Sequence, residues 1–367
     1  MTDDDYGALY ESLTSVLREE CGSLALHKFI GGETALDKEL WQRAAELGWL
    51  GISLPESVGG LGMGTQGLHL LHRAIGASCA PGPFAATLAV TQMLAEGRVD
   101  TACGDIIAAV IAGDAIIAAP IAPGGERLVL SGGVLNGRSQ SLLGLDGATL
   151  ALVPARRGGE NCLALVRIAS PGATAACVDL WDRTRSAGSV TCNDAEPVIL
   201  IEDAGSARLQ AYFRYLSLSI AADCVGAGFQ IAGQTTEYLK GREQFGQSLA
   251  SFQALKHRVA NLYIALDPAA ELTRQAALGL ASGRPAGPMW TALAKAAAAD
   301  AFRFVADDCV QLHGGVGYTW EYDCHIFLKR ALLNEVIAGR SAEQRDAAAT
   351  LLDGMASAGE TIAEIVE

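Results

Sequence analysis

The chain has 367 residues, and 50% of them are hydrophobic while only 6% are aromatic. Much of the apolar weight is alanine, so two or three domains, helix-rich and with a large core, are expected. Twenty-seven Lys and Arg against 41 Asp and Glu give a net charge of -14, which argues against nucleic acid and an anionic membrane surface, since both require a basic face.

The start, Met1-Thr2-Asp3-Asp4-Asp5, is acidic where a signal peptide is basic. Nine cysteines without a Cys-x-x-Cys pair read as reduced thiols, and a cytoplasmic location is expected. The six histidines form no His-x-x-x-His pair, so no metal site is expected. The apolar run 106–122 is interrupted by Gly113, Asp114 and Pro120 and is too short to cross a bilayer.

Residues 1–113 read as helical. Leu9, Leu13, Val16 and Leu17 repeat at helical spacing, as do Leu40, Trp41, Ala44 and Leu47. Between them and a helix through Leu68, Leu71 and Ile75 lies the glycine-rich stretch Gly59-Gly60-Leu61-Gly62-Met63-Gly64, and Pro81-Gly82-Pro83 ends that helix. Residues 114–206 change period. Short apolar runs at 115–119, 128–130, 149–153, 162–168 and 198–201, separated by Gly, Pro, Asn and Asp, predict a small antiparallel β-barrel domain. Residues 207–367 return to helix, over 207–240, 252–282, 287–312 and 323–357, which predicts a four-helix bundle. The fold class is α+β, mainly α.

Two glycine clusters invite a dinucleotide reading and do not carry it. Gly60-x-Gly62-x-Gly64 has no strand before it, and Gly226-Ala227-Gly228 lies inside a helical pattern; a turn and close helix packing account for them better. Two others are open to both readings. Gly241-Arg242-Glu243-Gln244-Phe245-Gly246 followed by Ser251-Phe252-Gln253 is either a helix C-cap and an N-cap at Ser251, or an anion site. In the second case Arg242 forks onto a diphosphate, Phe245 offers a ring face and Gln253 an amide. Gln311-Leu312-His313-Gly314-Gly315-Val316-Gly317-Tyr318 is either a helix stop or bare backbone that a phosphate or ribose can approach.

Taken together, Arg242-x-x-Phe245-Gly246, Phe252-Gln253 and Gln311-x-x-Gly314-Gly315-x-Gly317-Tyr318-Thr319-x-Glu321-Tyr322 resemble the C-terminal domain of acyl-CoA dehydrogenases. Leu47-Gly48-Trp49-Leu50-Gly51 through Gly59-Gly60-Leu61-Gly62 resembles their N-terminal domain. The resemblance implies a helical domain, a β domain and a four-helix bundle. It also implies FAD as cofactor and α,β-desaturation of an acyl-CoA thioester, with an electron-transfer flavoprotein as acceptor. It assigns Arg242, Phe245, Gln253, Gln311, Gly314 and Gly315 to the diphosphate and adenosine end of an FAD held mainly by a neighbouring subunit.

The chain departs from the family at the chemistry. Counted from Gly315, the position of the usual catalytic Glu is Ala338, before Gly339; the alternative base position, counted back from Val225-Gly226, is Leu216. Neither side chain accepts a proton. Glu335 and Glu343 stand nearby at other helical phases and are expected to be surface carboxylates. The flavin-binding segment of the family corresponds to Ala118-Ala119-Pro120-Ile121-Ala122-Pro123-Gly124-Gly125, without its hydroxyls and acid. The flavin-abutting strand is unrecognisable over 139–145. The resemblance is therefore to the base-less subunit of α2β2 steroid-CoA dehydrogenases, with a homologous partner supplying the catalytic Glu. The alternatives are a homomeric oxygen-using flavoenzyme and a flavin-free scaffold.

Overall fold

A computed structural model describes residues 3–32, 34–96, 99–201 and 205–359. Helices α1 (Asp3–Glu20), α2 (Ser23–Ile30), α3 (Lys38–Glu46), α4 (Gly64–Ala77), α5 (Phe84–Ala95) and α6 (Thr101–Ile111) come first. Strands β1 (Ile117–Pro120), β2 (Leu128–Ser131), β3 (Val134–Leu143), β4 (Leu150–Arg157), β5 (Glu160–Arg167), β6 (Ala173–Val178), β7 (Ala187–Ala195) and β8 (Pro197–Ile201) follow. Then come α7 (Gly205–Gly241), the strand pair β9 (Glu243–Gln244) and β10 (Gln247–Ser248), α8 (Gln253–Ala281), α9 (Gly287–His313), α10 (Cys324–Val336) and α11 (Ser341–Ser357). By contacts the chain divides into two compact units, one of residues 1–28, 68–80 and 217–367, the other of 29–67 and 81–216.

In the second unit, α3 starts at an Asp37 cap that accepts from the Leu40 amide at 3.0 Å, and it buries Leu40, Trp41 and Ala44. The indole of Trp41 donates to Gly113 O at 2.9 Å. The glycine-rich stretch before α4 is a tight turn, since a Cβ on Gly60 would lie 2.1 Å from Leu54 O. The apolar run 106–122 divides between the end of α6 and β1.

The sheet runs β6-β7-β3-β1-β4-β5-β8, with β2 on β3 and β4. Two of its pairings, β1–β4 and β2–β4, are parallel, a departure from the all-antiparallel expectation. The path ends at β6 and β8 and no pairing closes it into a barrel among the described residues. Its core includes Leu128, Leu135, Val153, Val166 and Val190. Three strands escape an apolar-run reading. In β3 and β7 polar and glycine residues interrupt the buried ones, so neither reads as an apolar run, and β6 is an edge strand with only Ala173 buried; an edge strand can be exposed on both faces.

In the first unit, α4 and α7 cross in backbone contact. A Cβ on Gly76 would lie 2.0 Å from Asp223 O, and one on Gly226 would lie 1.8 Å from Arg73 O. Gly226 is thus a packing glycine. The contact brings Asp223 under α10, where Arg330 Nη2 and Nε donate to its two oxygens at 2.6 and 3.0 Å. Asn334 Nδ2 adds a bond at 2.7 Å, and Arg330 Nη1 reaches Ala80 O at 3.3 Å. By length and composition α7 could cross a membrane, but 83% of its most apolar window is buried within the protein. Three of the four expected long helices are present, and α8 carries Pro268 in its interior. The fourth is broken into α10 and α11, because Ala338 and Gly339 take φ of +61° and +100°, which no right-handed helix accommodates.

The side chains of Asp223 and Arg330 are 0% and 1% exposed, so removing one leaves the other charge buried and unpaired. Arg330→Met is expected to cost about 3–5 kcal/mol in urea unfolding, and Asp223→Leu/Arg330→Met to recover most of that. A double variant as unstable as the single would show that packing, not charge, dominates. His69 on α4 is held down to about 3 by burial first and by Arg73 next. A histidine whose pKa falls on folding stabilises above its unfolded value near 6.5, and that contribution is lost as pH drops toward 3. His69→Leu is therefore expected to flatten the loss of stability between pH 6.5 and 4 by on the order of 3 kcal/mol; equal slopes in the two proteins would contradict it.

Candidate functional site

Helix α7 ends at Gly241, and the Arg242 amide still donates to Tyr238 O at 2.9 Å. The chain then turns through Phe245 and Gly246, both at positive φ, and the strand pair folds back, with Leu249 N on Arg242 O at 2.8 Å and Ser248 Oγ on Leu239 O and Lys240 O at 3.0 and 2.9 Å. Phe245 is 90% exposed and meets Phe252 edge-on at 6.2 Å. Ser251 is not the cap of α8; its hydroxyl donates to Ser248 O at 2.6 Å. Phe252 stands at the cap position without a side-chain bond, and its carbonyl accepts from the Leu255 and Lys256 amides, so the positive end of α8 lies at the Gln253 and Ala254 N–H groups.

Helices α8 and α9 are antiparallel neighbours, and Arg258 near the start of α8 forks onto Asp308 near the end of α9. That ion pair sets Gln253 and Gln311 at the same end of the bundle. Beyond Gln311, Gly314 takes φ +65° and closes α9, and Gly317 is needed because a Cβ there would lie 2.6 Å from Val310 O. Around Gly314 and Gly315 no atom comes within 4 Å of a built Cβ, so their backbone is open to approach. Arg242 and His313 line one cleft of about 810 Å³ with Tyr238, Glu321 and Tyr322. Among the described residues the side chain of Arg242 has no hydrogen-bond or ion-pair partner. All six expected residues, Arg242, Phe245, Gln253, Gln311, Gly314 and Gly315, are exposed.

Of the rings behind this set, His313 and Tyr322 lie within the quoted motifs, and Tyr238 had no motif of its own. Tyr238 stacks on His313 with centroids 4.2 Å apart at 20°, and Tyr322 packs on both at 5.3 Å. A helical offset of four from Arg242 is the one clue to Tyr238. Burial lowers the pKa of His313, and its Nδ1 lies 2.8 Å from Cys309 O.

Residues 3–104 match the acyl-CoA dehydrogenase N-terminal domain and residues 203–352 the acyl-CoA dehydrogenase C-terminal domain. The chain belongs to the acyl-CoA dehydrogenase family. Members are oxidoreductases acting on CH–CH bonds that generally bind FAD. It is 29% identical over 325 residues to acyl-CoA dehydrogenase IpdE2 of Mycobacterium tuberculosis, covering 88% of this chain and 89% of that protein. It resembles a chain of the Tcur3481–Tcur3483 steroid ACAD with a TM-score of 0.87 and 25% identity, covering 96% and 99% of the two chains. For a chain of the ChsE4–ChsE5 complex from Mycobacterium tuberculosis the TM-score is 0.85 at 24% identity, covering 96% and 98%.

As in an acyl-CoA dehydrogenase the α10–α11 corner is where the base is counted to, but here it is a sealed turn. Ala338 is 0% exposed. Its carbonyl accepts from Gln344, and the buried Lys295 donates to Glu335 O at 2.9 Å and to Gly339 O. Leu216 is also 0% exposed. Glu343 caps the Arg340 amide at 2.7 Å and Glu335 lies 3.5 Å from Arg340; both have structural tasks.

The donor set at the bundle end fits the diphosphate and adenosine half of FAD: a free guanidinium, two amides, an open glycine turn and a helix N-terminus. The 118–125 segment does not fit the ring half in the family's way. Ala118 and Ala119 are buried in β1, Pro120 and Pro123 have no N–H, and Tyr212 donates to Pro120 O at 2.7 Å. A cleft of about 420 Å³ does open beside it, edged by Arg127, Ser139 and Ser141.

Ala338→Glu would force a carboxylate into this dry, left-handed turn and is expected to cost about 2 kcal/mol or more. The purified variant is expected to show no dehydrogenation of CoA thioesters. Turnover by the variant alone would show that a carboxylate at this position is enough for activity.

Proposed function

We propose that this chain is the base-less subunit of a heteromeric, FAD-dependent acyl-CoA dehydrogenase and lends half of an FAD site to its neighbour. The observation that carries the reading is the contrast between the two ends of the chemistry. The six residues expected at the diphosphate and adenosine end stand exposed, with Arg242 unpartnered among the described residues, while both expected base positions are buried and apolar. Arg242 holds the diphosphate, Phe245 and the amides of Gln253 and Gln311 hold the adenosine side, and the Gly314-Gly315 turn lets the phosphates approach. Bound FAD supplies the hydride acceptor for α,β-desaturation. A homologous partner carries the catalytic Glu, the flavin-ring pocket and the acyl-CoA cleft, in an α2β2 assembly with two FAD. The names of the similar steroid ACAD structure and of the two-component ChsE4–ChsE5 complex support a bulky, steroid-derived thioester and a homologous partner. An electron-transfer flavoprotein serves as acceptor, in the cytoplasm. The cleft of about 420 Å³ beside Pro120 favours a second reading, a homomeric flavoenzyme with oxygen-using chemistry.

Flavin per chain and native mass separate the two. This chain purified alone is expected to be colourless, and co-expressed with a base-carrying homologue to form an α2β2 complex with two FAD. In that complex Arg242→Ala is expected to weaken FAD binding about 10–100-fold, the worth of a charge-assisted fork. A yellow homo-oligomer with one FAD per chain would favour the second reading and overturn the first, and unchanged FAD binding in the Arg242→Ala complex would also remove the first.

A further inference from the structure

We infer that Tyr238 and His313 are positioning residues, whose stacked rings set the distance between Arg242 and the Gly314-Gly315 turn. The inference rests on the reading above and deepens it. The donors stand on two segments, and the residues that tie them, Tyr238 and His313, are 75 positions apart in the sequence. One segment ends α7 and the other ends α9, and helix ends fray unless something holds them. The glycines have the greatest freedom of any residue. A rigid phosphate-binding set therefore needs a tie close behind the donors.

The rings are placed as such a tie. Tyr238 is one helical turn before Arg242, whose amide it accepts at 2.9 Å. His313 directly precedes Gly314. The rings are near-parallel at 4.2 Å, and the Tyr238 hydroxyl donates to His313 O at 3.3 Å, the last carbonyl before the glycines. The imidazole is itself fixed by Cys309 O at 2.8 Å and by Cys324 Sγ at 3.3 Å. Tyr322 closes the set by packing on both rings. None of these side chains is among the donors.

Tyr238→Leu removes the stack and the hydroxyl, while Tyr238→Phe keeps the stack. In the chain alone, Tyr238→Leu is expected to speed amide hydrogen exchange at residues 314–318 about tenfold, leaving Leu262 and Leu266 unchanged, and Tyr238→Phe to stay near wild type. In the α2β2 complex, the FAD concentration for half-saturation is expected to rise about tenfold for Tyr238→Leu at unchanged native mass, with rescue by Tyr238→Phe. Faster exchange throughout the bundle would make Tyr238 an ordinary packing residue. Unchanged exchange and FAD binding in Tyr238→Leu, beside weakened binding in Arg242→Ala, would overturn the inference and leave the function standing. If Arg242→Ala also changes nothing, the function fails, and the exchange comparison still decides the tie.

Discussion

The helical unit depends on one buried contact, the pair of Asp223 and Arg330 beneath the crossing of α4 and α7. The crossing is possible only because Gly76 and Gly226 let two backbones touch. It brings the Ala80 carbonyl, the Asp223 carboxylate and the Arg330 guanidinium into one dry network with Asn334. In low dielectric such a pair adds little net stability over an apolar isostere, but an unpaired member is very costly. It therefore specifies how α10 sits on α7, and with it where the chain leaves α10.

That exit is the corner where an acyl-CoA dehydrogenase is expected to place its carboxylate. Here Lys295 and Gln344 bind the carbonyls around the corner, and Ala338 is fully buried. Burial pushes the Lys295 pKa down, and carbonyl oxygens on two sides keep its ammonium satisfied. A corner built to satisfy backbone groups is not one built to hold a mobile proton acceptor. The opposite end of the bundle has the reverse character, because Gln253, Gln311 and Arg242 are exposed there and Arg242 has no side-chain partner among the described residues.

Much of this was legible in sequence because it depends on short-range pattern. The long periodic segments became α7, α8 and α9 nearly as read, and β1, β2, β4, β5 and β8 coincide with apolar runs. The missed strands β3, β6 and β7 are ones whose partners, not their composition, make them strands. The break between α10 and α11 was missed because alanine at 338 is a good helix former; only tertiary satisfaction of the surrounding carbonyls holds it at φ +61°. The expected cap at Ser251 failed for a related reason, since the hydroxyl found a carbonyl in the preceding turn.

The sequence by itself determined the helix–sheet–helix order, the motif residues from Arg242 to Gly315 and the absence of an acid at 216 and 338, because residue identity and spacing are properties of the chain. Only the tertiary structure decided that Gly226 serves a helix crossing, that the corner at Ala338 is buried, and that Tyr238 and His313 stack beside Arg242 and Gly314. Those depend on which distant segments meet, and a contact across 75 positions leaves no period in the sequence to read.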